Sequence, residues 1–113
     1  MAKVIITPML KEEIFKKFCG ESETIFNLMK TLEQNSKKGK FLASVGGLVI
    51  KELRYKSFRF YFIVDGFKLK CFDEKELVDL LIKFIRMSDK KGQQKTIEEI
   101  KHILRTIGPR GFE

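Results

Sequence analysis

Tryptophan is absent from the chain, histidine occurs once, and proline and cysteine occur twice each in 113 residues. Two cysteines, Cys19 and Cys71, make neither a disulfide framework nor a metal-ligand spacing. That excludes a disulfide-stapled secreted scaffold and a zinc module, and no metal or cofactor is expected. The pattern predicts free, buried thiols of the kind found in a reducing cytosol. The single histidine, His102, has no neighbour in sequence to orient it as a general base. No uninterrupted apolar run reaches the ~18 residues of a membrane span. The opening MAKVIITPML lacks the long apolar stretch of a signal peptide. The chain therefore reads as soluble and cytoplasmic, with no membrane partner. Internal repeats and low-complexity segments are missing too.

What the chain has is phenylalanine and positive charge. Eleven Phe and 43% hydrophobic residues supply ample material for one core, and the length suits one domain over residues 1–113. The formal net charge is +8, from 23 Lys+Arg against 15 Asp+Glu. An excess of this size favours a polyanionic partner such as RNA, DNA, acidic lipid or an acidic protein.

The middle of the chain, LVIKELRYKSFRFYFIVDGFKLKCF, organises the rest. Phe58, Phe60, Phe62 and Val64 alternate with Arg59, Tyr61 and Ile63, which is the period of a strand. Residues 48–55 read as a strand before it and residues 67–72 as one after it. In the latter, Phe67, Leu69 and Cys71 oppose Lys68 and Lys70. Asp65-Gly66 reads as a tight hairpin turn, because Gly accepts the positive φ required there. One face of this antiparallel meander is apolar. The other is expected to carry Lys51, Arg54 and Arg59.

The flanks read as helices. Val4–Ile6 is a short strand, and Thr7-Pro8 is a natural helix start. Leu10, Ile14, Phe15 and Phe18 recur at helical spacing until Gly20. A second helix begins at Ser22 or Thr24 with the stripe Ile25, Leu28, Met29 and Leu32. Gly46-Gly47 marks a turn. Asp73 caps a turn or a single helical turn. VDLLIKFIRM is apolar throughout. Residues 81–87 fit a central strand, and a helix over residues 74–87 is the competing reading. Thr96-Ile97-Glu98-Glu99 fits a capping box opening a last helix, whose stripe is Ile97, Ile100, Ile103, Leu104 and Ile107. Gly108-Pro109 ends it, and the tail after it reads as mobile. The expected class is α+β: an antiparallel sheet with an N-terminal helical hairpin and a C-terminal helix packed on one side, in the order β-α-α-β-β-β(-β)-α.

This order, with the phrases VIITPMLKEEIFKKF, GGLVIKELRYKSFRFYF and FIRMSDKKGQQKTIEEI, resembles the RelE/ParE superfamily of type II toxin–antitoxin toxins, in its RelE/HigB-like branch. The resemblance covers nearly the whole chain and is carried by order and spacing. It implies a toxin held inactive by a cognate antitoxin protein. It further implies an mRNA endoribonuclease (mRNA interferase) acting at the ribosome to inhibit translation, or a ParE-like poison that cuts no RNA. Carried over residue by residue, Arg54 matches the arginine holding the scissile phosphate and Arg59 the arginine opening the aromatic strand. Arg86 matches the basic segment after the last strand, and Lys51 is a looser match. These four are the expected catalytic residues, with Lys90, Lys91, Lys68 and Lys70 as RNA contacts.

The chemistry suits those residue types. A guanidinium offers permanent charge and a planar fork to a phosphate developing negative charge. A lysine acts as base only where its pKa is depressed, for example by neighbouring cations, which nominates Lys51, Lys90 or Lys91. Some relatives place a Tyr or His before the last helix; here GQQKT puts Gln93 and Gln94 there, and neither transfers protons. Each site residue also has a plainer reading: Arg54 pairs with Glu52 on one strand face, and Lys90 and Lys91 belong to a solvated loop. A third function class, a small basic RNA- or protein-binding module with no inhibitor, fits the same composition.

Overall fold

The computed structural model describes residues 2–73 and 75–112. Its elements run β1 (Lys3–Ile6), α1 (Pro8–Phe18), α2 (Ser22–Lys30), β2 (Lys40–Val45), β3 (Leu48–Tyr55), β4 (Phe58–Asp65), α3 (Gly66–Cys71), β5 (Leu81–Asp89) and α4 (Gln93–Thr106). The five strands form one sheet in the order β1-β5-β4-β3-β2. β2 to β5 are antiparallel neighbours, while β1 lies parallel to β5 at the edge. The class is α+β and the sheet is mixed rather than purely antiparallel. Pairing β1 with the last strand is what lets the helical hairpin return across the sheet. Among the described residues no helix is long and apolar enough to cross a membrane.

Both faces of the sheet are covered, which corrects the expectation of helices on one side. On the first face Phe60, Phe62, Val64, Leu53, Ile82 and Phe84 pack against Leu10, Ile14, Ile25 and Met29 of α1 and α2. On the second face Ile50, Tyr61, Ile63 and Ile85 pack against Ile100 and Leu104 of α4 and against Phe112. Tyr61 and Ile63, on the face expected to carry basic residues, are buried because β4 is a central strand covered on both faces. Fully buried strands of that kind lose the clean alternation of a half-wet sheet.

Local chemistry explains the element ends. Pro8 occupies the first turn of α1, and Lys16 and Lys17 sit in the last turn, where the helix dipole favours cations. α1 stops at Cys19, whose φ of 46° no helix accommodates. The turn at Gly46-Gly47 joins β2 to β3 as expected. Gly108, at φ 93°, ends α4 with its N–H and that of Ile107 both donated to the Ile103 carbonyl.

Several expectations are overturned. Asp65-Gly66 is not a hairpin turn and residues 67–72 are not a strand. Asp65 Oδ1 accepts the Lys68 N–H at 3.0 Å and so caps the helix α3. β5 then takes the place beside β4 that residues 67–72 were expected to fill. For residues 81–87 the strand is right; the first position of the competing helix, Glu74, lies outside the described residues. α4 begins at Gln93, before the proposed capping box, so Thr96 lies inside the helix. Asp89 Oδ1 instead accepts the Gly92 N–H at 2.8 Å and shapes the entry. Residues 109–112 are no loose tail: they form a short 3-10 turn that buries Phe112. Both cysteines are exposed, not buried.

Candidate polyanion-binding face

The side chains of β3 alternate, and the alternation sorts the expected site residues. Glu52 and Arg54 share the α4 face, since their partners across β4 are Tyr61 and Arg59. Lys51 faces the other way, opposite Phe62 in the hairpin core. Its Nζ donates to the Lys37 carbonyl at 2.9 Å, and burial lowers its pKa from the ordinary lysine value. That corrects its placement beside Arg54: residues 51 and 54 are an odd number apart and cannot share a face of one strand. Desolvation, not a crowd of cations, depresses Lys51, and it is separated from the arginines by the sheet.

Arg54 and Arg59 are direct cross-strand neighbours. Two like charges placed so repel, and Glu52 lies where it offsets them. Its Oε1 is 3.6 Å from Arg54 Nε and its Oε2 3.9 Å from Arg59 Nε. The Glu52 side chain is 1% exposed, Arg59 6% and Arg54 57%. Arg59 Nη1 also donates to the Ser57 carbonyl at 3.3 Å. Neither Glu52 oxygen accepts a hydrogen bond among the described residues. Lys40 on β2 stands opposite Glu52 from the other side and is exposed.

Arg86 reaches the same face through a β-bulge. The β4–β5 register slips between Tyr61 and Phe62, so Ile85 and Arg86 both turn towards α4. There Arg86 is engaged: Nε donates to Glu99 Oε1 at 2.7 Å, Nη1 donates to the Ile85 carbonyl at 2.8 Å, and the guanidinium lies 5.0 Å from the Phe112 ring centre. It fastens α4 and the C-terminal turn to β5. Lys90 and Lys91 are exposed in the β5–α4 connection, at the Arg59 end of the sheet. Lys68 and Lys70 are on α3, past the other end of β4. Arg59 and Asp65 are six strand steps apart, ~20 Å at strand rise, so the two groups of lysines lie at opposite ends of β4.

The proton-transfer equipment on this face is meagre. Tyr61 is buried, and its hydroxyl lies 2.7 Å from Ser88 Oγ, which itself donates to the Asp89 carbonyl at 2.9 Å. Tyr61 is therefore the donor of that pair. Burial raises its pKa above the ordinary tyrosine value, which makes it a poor base. Tyr55 is no free stacking platform: it packs edge-on against Phe18 and its hydroxyl donates to Glu21. His102 is exposed on α4. What the arrangement can do is hold an anion against Arg54. Lys40 is the member that sequence reasoning passed over, and nothing local marks it. The plainer reading that paired Arg54 with Glu52 on one strand face is borne out. A separate concavity of ≈ 340 Å³, lined by Leu48, Ile63, Leu81 and Pro109 and by the charged Asp65, Lys68, Asp79 and Lys83, opens at the far end of the sheet.

The chain matches no protein-family model, no curated protein and no solved structure.

Proposed function

We propose that this chain is the toxin of a toxin–antitoxin pair, of the RelE/ParE kind, and that it docks on mRNA at the ribosome through the Arg54 face and arrests translation. The observation that carries this reading is the cross-strand pairing of Arg54 and Arg59, with Arg54 open to solvent. The RelE/ParE-like phrases support it from their positions in the fold. The Thr-Pro phrase opens α1, the Leu-Arg phrase is on β3, the second arginine opens β4, and the basic segment leads into α4. In this role Arg54 would take a phosphodiester oxygen pair in its fork and oppose the charge of a phosphorane. An acidic antitoxin segment laid over the same face would silence it.

One observation favours a second reading, docking without cleavage. Cleavage needs a group to take the 2′-OH proton and another to return one to the leaving oxygen. The strand register gives this face Arg59, Lys40, buried Glu52, buried Tyr61 and Ser88 beside Arg54.

Controlled expression of wild type beside Arg54→Ala tests both. Growth arrest relieved by the substitution is the expected result; unimpaired growth at high expression of the wild type contradicts the toxin reading. Following transcripts in the arrested cells separates the two modes. Codon-linked cuts mark the endoribonuclease, and intact transcripts mark the docking poison.

A further inference from the structure

A buried carboxylate with no hydrogen bond is an expensive thing for a small domain to keep, and replacing a buried ion pair by apolar residues is often neutral or stabilising. Glu52 is such a carboxylate. Its surroundings suggest what it does. Each oxygen faces the Nε edge of a different guanidinium, Arg54 on one side and Arg59 on the other. Arg59 is itself buried and tied to the Ser57 carbonyl, so it cannot swing out to a partner. The three charges sum to one positive charge. The only exposed member is Arg54, and its Nε side is the side turned towards Glu52. The Nη pair remains for something outside.

We propose that Glu52 is a positioning residue: it holds Arg54 by its Nε edge and aims the Nη fork at a single phosphodiester group, while Arg59 neutralises the carboxylate so that Arg54 keeps its full charge for the ligand. The inference rests on the RNA-docking reading above and deepens it. Without Glu52 the Arg54 guanidinium would be an unanchored side chain. Without Arg59 the carboxylate would cancel the charge it is meant to present. Arg is required at position 54 for the same reason, because an ammonium has no second edge to be held by.

The test is fluorescence anisotropy with a labelled single-stranded RNA dodecamer, on the full chain, with thermal unfolding of every variant. Arg54→Ala sets the scale and should weaken binding by about tenfold or more, as expected for loss of a charged hydrogen-bonding group. Glu52→Gln/Arg59→Gln removes one negative and one positive charge, so the formal net charge stays at the +8 of the parent. It should lose about as much, and adding Arg54→Ala to it should cost little more. Arg54→Lys, at an exposed position that does not threaten folding, should lose most of the same factor. The Arg54→Lys loss reports the fork itself; a purely structural role for Glu52 would leave a folded Glu52→Gln/Arg59→Gln protein binding like the wild type. Wild-type binding by Arg54→Lys, or by a folded Glu52→Gln/Arg59→Gln protein, overturns the positioning role while leaving the docking face intact. Wild-type binding by Arg54→Ala overturns the docking face itself, and the inference with it.

Discussion

Lys51 is the residue at which sequence and structure part most sharply. Read along the chain it belongs with Arg54; read across the sheet it belongs with Phe62 and the hairpin core. The single parity step decides it, and the cost shows in its ionisation. Burial holds its folded-state pKa below the ordinary lysine value. Between the depressed value and the unfolded one, ~10.4, the unfolded chain binds more protons than the folded chain. Stability from this group therefore rises with pH through that window. Tyr55, Lys56 and Tyr61 have raised pKa values and work the opposite way there. Subtracting a Lys51→Met variant cancels them. Lys51→Met gives up the Lys37 hydrogen bond, ~1 kcal/mol, and escapes the desolvation penalty. Urea titrations across the alkaline range should show the wild type gaining on the variant as pH climbs. A pH-independent difference would mean that Lys51 is as well hydrated in the fold as out of it.

At the scale of elements, much was legible, and the failures share a cause. α1, α2, β3 and β4 follow from periodicity and from Pro8, because each has a long enough run for its period to declare itself, whereas the run over β5 is apolar throughout and leaves a helix competing with the strand. Residues 66–71 do not follow from periodicity either. Gly66 and then five residues alternating Phe, Lys, Leu, Lys, Cys fit a strand and fit a short helix about equally. The decision falls to Asp65, whose carboxylate closes on the Lys68 N–H, and to β5, which claims the β4 edge for pairing. Arg86 was assigned to the site on a sequence phrase alone; only the bulge at Ile85 brings it to the α4 face, and bulges carry no signature in so apolar a run. The Arg54–Arg59 pair was half legible: the residues were named, but the register that sets them opposite each other is a tertiary fact. If Asp65 is the cap, Asp65→Ala should cost ~1 kcal/mol, the usual worth of such a residue, while Asp65→Asn should keep most of it. Denaturant midpoints check this. Equal loss in both variants would assign Asp65 to some other duty.

At the scale of the molecule, the positive charge is spread rather than gathered. Lys11, Lys16 and Lys17 ride on α1, Lys68 and Lys70 on α3, and Lys90 and Lys91 beyond β5. The net charge of +8 thus favours polyanions without choosing a face, and on the proposed reading the choice falls to Arg54. That face is only as firm as the layer beside it. Apart from the connection after β5, α4 is held by its apolar stripe, by Glu99 on Arg86, and by the C-terminal turn that tucks Phe112 beneath it. Gly111 permits the tuck, since a Cβ there would collide with the Ile103 side chain. Phe112→Ala empties a buried site and removes the ring from Arg86, which should cost ~3–5 kcal/mol, a large part of a small domain's stability. The loss should be uneven. The second core, with α4, stands on one side of the sheet, and the first core with α1 and α2 survives on the other. Hydrogen exchange on the variant should therefore speed first in α4 while β4 and β5 stay protected. Uniform acceleration through sheet and helix would show instead that the two cores open as one unit.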